Sequence, residues 1–545
     1  MGEFLKLRKG FWMAIERKIW ISAVFVFFLS ASHDSEAVVS VGKDIELEGF
    51  LKAQNILRTP KFKEAEAIMQ RNTLQLESKY YFLREGQMFN KFNSGLLEEG
   101  TLTLVGRGVY DSIYEIRNSL DGEFSNANGK QGLYEANLRE GYVDLALPPF
   151  SLRIGRQQVV WGETDGFRAL DVINPLDLSW HWSREYWEDI RIPLWMVRGI
   201  YDIGKFSVFE ESFFETVWIP ADFRPNKIAT DPKRPWAFTG AGLPEIPNSI
   251  FVDGILRDLE VEIRDLSPKR RLRNGQGGAR FKAIWGDIDF SLNYFYGFSA
   301  DTGVRVREDL SSTVGNTHTS VRELVNPRSH VVGLTANYSE ERFTQSVFRM
   351  ETTFTTGIPV KISPDAPSAI DPDGDQFDTA RRTVVMLAVD RPTWIKFLNP
   401  TRTFYLSSQV FWRHYIDYSR FYRGIYSVEE AVVDGLPVRG KFFSENTDQL
   451  DKDEFVITFS ASTSYGAAGL IKPSFIFAID PRSTGAYNKL ALDYFWSDNI
   501  LLKFEQGFYW RAAGHDPGPW ALGDIWGHTT RNSRHETALS IVFQF

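Results

Sequence analysis

The chain has no cysteine among its 545 residues. That excludes disulfides, thiolate nucleophiles, cysteine metal sites and the lipidated N-terminal cysteine of a lipoprotein. Beyond residue 37 it has no apolar run approaching the length a membrane-spanning helix requires, so helical transmembrane segments are excluded. It has no excess of positive charge either. Its 62 basic and 70 acidic side chains leave a net charge of −8, without the clustered basic surface that binding nucleic acid demands. No Gly-x-Ser-x-Gly, His-Glu-x-x-His or phosphate-cradling glycine loop occurs. Aromatic residues are abundant: 43 Phe, 20 Tyr and 16 Trp, in a chain whose mean hydropathy is only −0.26. A fold that shows apolar side chains to lipid and polar ones to a wet interior reconciles those two facts.

The first 37 residues read as a targeting segment. Lys6, Arg8, Lys9, Arg17 and Lys18 form a basic start, Ile19 to Leu29 an apolar core, and Ser35–Glu36–Ala37 places small residues where a signal peptidase reads. The apolar core is shorter than the roughly 20 residues a spanning helix needs. Export with cleavage after Ala37 is expected, and residues 38–545 are read as one domain in the outer membrane of a Gram-negative cell.

That domain alternates with period two. Ile45, Leu47, Leu51 and Ala53 oppose Glu46, Glu48, Lys52 and Gln54. The six residues Ile288, Phe290, Leu292, Tyr294, Tyr296 and Phe298 oppose Asp287, Asp289, Ser291 and Asn293. Phe455, Ile457 and Phe459 oppose Glu454, Thr458 and Ser460, while Leu490, Leu492, Tyr494 and Trp496 oppose Lys489, Ala491 and Asp493. Tyr and Trp gather at strand tips, where a bilayer interface holds them, and charges run along strand centres, as a wet lumen allows. The final segment puts Leu539, Ile541, Phe543 and Phe545 on one face, with Val542 the exception on the other. It resembles the closing strand of bacterial outer-membrane barrels, whose terminal Phe is read by the barrel-insertion machinery. The expected fold is therefore all-β, a transmembrane antiparallel barrel of about 18 strands, with about 16 as the alternative count. Short periplasmic turns are expected near Pro148–Pro149, Gly204, Asp287–Asp289, Glu340–Glu341, Gly466–Gly469 and Asp498–Asn499. Long extracellular loops are expected over about 118–134, 164–193, 219–274, 302–328, 358–378, 420–450 and 513–534.

Within 219–274, Phe251, Ile255, Leu259 and Ile263 recur at helical spacing after Asn248–Ser249, which predicts a short helix at the barrel mouth. Lys269, Arg270, Arg271 and Arg273 form a basic run that suits solvent or the anionic lipopolysaccharide of the outer rim. Trp180, Trp182, Tyr186 and Trp187 suit the outer aromatic girdle, or an entry for an apolar solute.

One stretch is distinctive. Gly141–Tyr142–Val143–Asp144–Leu145 precedes Leu152–Arg153–Ile154–Gly155–Arg156–Gln157–Gln158–Val159–Val160–Trp161–Gly162–Glu163, and Thr164 to Asp177 follow as TDGFRALDVINPLD. Over roughly 137–220 this resembles the DUF1302 family of proteobacterial outer-membrane proteins. The resemblance implies a porin-like channel for passive or partner-coupled movement of a small solute, hydrophobic solutes included. Physically, Arg153 and Arg156 fall on opposite faces of one strand. An arginine facing lipid at mid-depth costs about 2–4 kcal/mol, so one of them must lie near an interface or the strand must bulge. Glu163, Asp165, Arg168, Asp171, Asn174 and Asp177 then crowd the loop. They would be satisfied if the loop folded into the lumen and bonded to wall arginines, forming a constriction, and together with Arg153 and Arg156 they are the pore candidates. The alternative is a turn network that shapes the loop and touches no solute. Asp165, Asp171, Asn174 and Asp177 could supply oxygen ligands, but their spacing does not match a Ca²⁺-loop signature, and no metal or other cofactor is expected.

His181–Trp182–Ser183 and His318–Thr319–Ser320 resemble the His-x-Ser spacing of outer-membrane phospholipase, yet both lie in expected loops. Asp371, Asp373 and Asp375 read as turn residues. An enzyme is not expected. A receptor or adhesin acting through the long loops is the alternative of another class. Expected partners are outer-membrane lipids and lipopolysaccharide, the insertion machinery through Phe545, and a small-molecule solute.

Overall fold

A computed structural model describes residues 39–59, 65–89, 92–93, 95–116, 134–179, 184–227, 249–423, 430–433, 436–439, 449–510 and 535–545. The targeting segment 1–37 and the positions Trp180 to Ser183 lie outside them. Twenty-two strands join in one sheet, four of them short appendages, and the other eighteen close into a barrel. The wall begins with β1 (Ile45–Arg58), β2 (Glu66–Arg84), β3 (Glu99–Asp111), β4 (Tyr134–Leu147), β5 (Phe150–Gln157) and β6 (Leu194–Asp202). It continues with β7 (Glu211–Ile219), β8 (Gln276–Trp285), β9 (Ile288–Phe298), β10 (Arg328–Glu340), β11 (Ser346–Ile362) and β12 (Phe377–Thr393). It ends with β13 (Phe404–Tyr415), β14 (Asp453–Ser462), β15 (Ile471–Ile479), β16 (Ala486–Phe495), β17 (Ile500–Trp510) and β18 (Glu536–Gln544).

Each strand pairs antiparallel with its chain neighbours, and β18 returns to β1 with Phe50 opposite Gln544 and Arg58 opposite Glu536. Backbone bonds continue past both ends of that seam. Gly49 N–H donates to Phe545 O at 2.7 Å, and Thr59 N–H to His535 O at 2.8 Å. Closure leaves no strand edge, the only sheet arrangement that satisfies every peptide group in hydrocarbon.

The alternation read from sequence sets the two faces. Leu74, Leu104, Leu292, Leu387, Leu490, Phe504 and Leu539 point outward and stay exposed. The aromatics form two girdles: Tyr201, Trp285, Tyr338 and Tyr494 beside the short turns, and Trp195, Trp218, Tyr296, Trp412 and Trp510 at the opposite end. Inward positions carry Arg71, Arg107, Glu215, Asn293, Glu351, Asp390, Gln409, Glu454 and Glu505, all buried against one another or against loops.

Five short-turn connections fall where the sequence places them, at Pro148–Pro149, 203–210, 286–287, 341–345 and 496–499. The 463–470 connection does so too, and 394–403 is a further one. Long connections alternate with these, except that 59–65 and 480–485 are short.

The helix expected over 251–263 is absent. Ser249–Val252 and Ile255–Asp265 are strands, and they join Gly303–Val314 and Thr317–Val325 in a separate four-stranded sheet at the loop end. Ile255–Asp265 lies parallel to Thr317–Val325. A spacing of four is also an even spacing, and here Leu259, Val261 and Ile263 alternate with Asp258, Glu260, Glu262 and Arg264. Two β-branched residues and a partner strand from another loop decide for the strand.

The two faces predict opposite tolerances. Leu490→Arg, at the middle of β16 and facing outward, should lower stability in a lipid bilayer by about 2–4 kcal/mol, whereas Ala491→Arg, facing the lumen, should change it by much less. Urea titration of the protein folded into vesicles, read by tryptophan fluorescence, measures both.

Candidate functional site

The 158–193 connection between β5 and β6 does not stay outside. Its apolar side chains turn inward and build a core with inward-facing wall residues. Val159, Trp161, Leu170 and Ile173 of the loop pack with Leu194, Met196, Val217, Ile219, Phe295 and Val331. Each fully buried side chain contributes roughly 1.5–3 kcal/mol, as an upper estimate. Two wall glycines make room. A Cβ at Gly333 would sit 2.1 Å from Leu170 Cδ1, and one at Gly278 would sit 2.7 Å from the Trp161 ring. Glycine inside a strand is a signal in the sequence that could have announced where on the wall the loop docks, because it marks close approach of another segment.

Polar anchors carry the loop further. Glu351, fully buried on β11, accepts the N–H of Glu163 at 2.8 Å and that of Leu170. Arg349, two residues along the same face, donates to Glu163 O at 2.6 Å and to Asp165 Oδ2 at 2.8 Å, and its Nε meets Asp390 at 2.5 Å. Gln409 on β13 donates to Asp165 at 2.7 Å. Glu163 also pairs with Lys282 at 3.5 Å and accepts from Asn337. Phe167 meets Phe411 edge-on at 5.5 Å. Starting from β5, the loop has thus reached β11 to β13.

Its second half crosses to the other wall. Glu185 is held by Lys52 and Arg71, each at 3.0 Å; Arg184 donates to Glu536 O at 3.0 Å; Asp189 pairs with Arg107 at 3.1 Å. Removing one partner of such a buried pair leaves an uncompensated charge, at a cost of about 3–5 kcal/mol. Burial alone would push the Glu185 carboxyl up, but Lys52 and Arg71 outweigh it and hold it at about 2.

The loop residues singled out from sequence separate into two roles. Glu163 and Asp165 form the inner tip and touch the far wall. Arg168, Asp171, Asn174 and Asp177 shape the loop. Arg168 donates to Asn174 O at 2.8 Å, Asp171 pairs with Arg191 at 2.8 Å, Asn174 accepts the Val159 N–H at 2.8 Å, and Asp177 pairs with Lys227 at 2.8 Å. The loop thus has a turn network in one half and wall contacts at its tip. Asp165, Asp171, Asn174 and Asp177 are each committed to a different partner, and among the described residues no group of acids and histidines could hold a metal ion.

The two arginines face apart. Arg153 points into the lumen, gripping Asp144 at 2.6 and 3.0 Å over the Tyr142 ring. Arg156 shares the outer-face row with Ile154, opposite Gly141 and Trp195, and donates to the carbonyls of Leu138 and Pro193. It lies at the loop end of β5, where neighbouring carbonyls can serve its guanidinium, and it is not a pore residue. A second correction concerns Tyr186. It sits inside the barrel, its ring 4.8 Å from Lys503 Nζ, because the loop that carries it folds inward. His318, in the four-stranded outer sheet, is bonded to Thr313 at 2.9 Å. Asp371 caps the N–H groups of Asp375 and Gln376 as a turn residue. Arg349, Glu351, Asp390 and Gln409 were not singled out from sequence, since single charges on distant strands carry no local pattern.

The loop core rests on β6 to β10, so the open part of the lumen lies opposite. A cavity of about 470 Å³ is lined by Asp165, Arg349, Asp390, Tyr405, Ser407 and Ser460 among others. It adjoins one of about 680 Å³ that reaches Trp394, Arg402, Lys472 and Asp493 near the short turns, the two sharing Tyr405, Ser462 and Ser474.

The model of the family described as "Protein of unknown function (DUF1302)" matches residues 92–507. The chain belongs to the DUF1302 family. No curated protein matches this DUF1302 chain. Among solved structures it is similar to OccAB3 of Acinetobacter baumannii, at 9% identity and a TM-score of 0.44 over 92% of this chain and 99% of that one. It is similar also to OpdQ of Pseudomonas aeruginosa, at 11% identity and a TM-score of 0.42 over 92% and 99%. A BenF-like porin from Pseudomonas fluorescens Pf-5 aligns at 9% identity with a TM-score of 0.41 over 92% and 99%. At these identities and scores the likeness assigns this DUF1302 member neither solute nor mechanism.

Two expectations follow from the docking. Gly333→Val puts a side chain where Leu170 sits, so the loop should lift and single-channel conductance should rise, while the barrel keeps its β circular dichroism. The Glu185 carboxyl titrates lower in the folded protein than its ordinary value of about 4.5. Its anchoring is therefore complete above that value and is lost as pH falls toward about 2. Conductance recorded from pH 6 down to about 2.5 should rise in the wild type, and Glu185→Gln should show the raised level at every pH.

Proposed function

We propose that the protein is a porin-like outer-membrane channel, without enzymatic activity, whose 158–193 loop narrows the bore. One observation carries this reading. The loop is anchored to opposite walls, by Arg349 on β11 and by Lys52 and Arg71 on β1 and β2, while water-sized space remains along β12 to β16. An eighteen-strand barrel without such a filler encloses an aqueous channel. Movement of the solute is passive in this reading; coupling to a partner complex at the short-turn end is compatible with it.

The remaining parts of the proposal follow from the surface. Residues 1–37 act as the cleaved export signal, and Phe545 serves the insertion machinery. Arg270, largely exposed, and Arg328, stacked 3.7 Å over Phe298 at the outer rim, suit the phosphates of lipopolysaccharide. The receptor or adhesin alternative draws on the four-stranded sheet at the loop end, which offers a regular surface outside the membrane.

Planar-bilayer recording tests the central claim. The purified protein should give discrete conductance steps, and deleting 163–177 should enlarge them. A silent bilayer under all conditions would favour the receptor. Steps of unchanged size after the deletion would remove the loop from the conduction path.

A further inference from the structure

We infer that the solute this channel prefers is a small, polyhydroxylated molecule without negative charge; the inference rests on the channel reading above. It comes from the chemistry of the open side of the lumen. The register across β13, β14 and β15 sets inward side chains in rows. Tyr405 stands opposite Ser462, which stands opposite Ser474, and in the next row Ser407 stands opposite Ser460. All five line the cavity beside the loop tip. Ser407 is only 5% exposed, yet none of the four serine hydroxyls has a hydrogen-bond partner among the described residues. Hydroxyls that face the passage and are not tied up by the protein can both donate to and accept from a solute.

Two aromatic rings complete the surface. Tyr405 is 48% exposed and Trp394 is 55% exposed, both toward the same passage. Hydroxyls that can donate and accept, together with aromatic faces, match a sugar-like molecule, whose hydroxyl rim and C–H faces need those two kinds of contact. One aliphatic side chain, Ile476, stands opposite Ser460 in the same rows.

Charge narrows the class further. At the loop tip Asp165 stays largely exposed, whereas Arg349 is sheltered between Asp165 and Asp390. A solute entering the narrowing meets a carboxylate first. Glu163 lies beside it, paired with Lys282, while Arg402 and Lys472 line the passage only further on, toward the short turns. Anionic solutes are therefore repelled beside the loop tip.

The test uses the purified full-length chain in liposomes and planar bilayers, with glucose, gluconate, benzoate and glucosamine as probes. Glucose should enter at least about fivefold faster than gluconate or benzoate, and glucosamine, a cation, should not be held back as gluconate is. It should also produce brief blocks of the KCl current. Ser460→Leu with Ser462→Leu should cut glucose entry about fivefold, and Tyr405→Ala should shorten the blocks, with KCl conductance kept within about twofold. Entry of gluconate or benzoate as fast as glucose overturns the inference, as does glucosamine held back as strongly as gluconate or a serine double variant with unaltered glucose entry. Each of these results leaves the channel reading standing. Absence of any KCl conductance overturns the channel reading and this inference together.

Discussion

Inside a bilayer a peptide group can bond only to protein, and the β1–β18 seam is where this chain meets that demand. The two ends of the barrel-forming sequence, almost five hundred residues apart, have to be brought into one register before any strand is fully bonded. Bonds from Gly49 to Phe545 and from Thr59 to His535 carry the ladder to both rims. Once the cylinder is closed, the period of two assigns every side chain to lipid or lumen. Everything in the interior follows from which residues that assignment sends inward.

What it sends inward is charge, and a wide cylinder cannot pair its charges across open water. The 158–193 loop resolves this by bringing acids to the wall's bases and peptide N–H groups to the wall's acids. Glu351 is served by two backbone donors, Arg349 by Asp165 and Asp390, and Arg71 by Glu185. The apolar contacts of Trp161 and Leu170 provide adhesion, while the ionic ones fix position. The latter respond to pH and salt, and the former do not.

Much of the fold was legible because alternation is a local property. Ile288 to Phe298, Asp453 to Ser462 and Glu536 to Gln544 each announce both faces without help from neighbours. The Ile255–Asp265 strand was misread because its apolar residues satisfy a period of four and of two alike, and the strand that settles the matter comes from another loop. The loop's crowding of charge at 163–177 pointed to an infolded segment, yet sequence could not say which charges meet the wall. Asp165 and Asp171 look alike in the chain. One reaches Arg349 on β11, the other stays with Arg191 of its own loop. Arg156 was grouped with the pore because it neighbours Arg153, and only the register with Gly141 and Trp195 puts it outside. The serine rows escaped notice for a similar reason, since a lone serine in a strand says nothing until three strands are aligned.

The placement of the loop core against β6 to β10 divides labour around the circumference. Half of the wall is committed to gripping the insert, and substitutions there disturb folding. The opposite arc, β13 to β16, has its own buried cluster of Phe411, Val456, Ala478 and Tyr487, but along its serine rows it supports no loop core and can change those side chains at little structural risk. Relatives could diverge in what they admit by altering this arc alone, and the same arc is where a designer would graft a recognition surface to make a sensing pore.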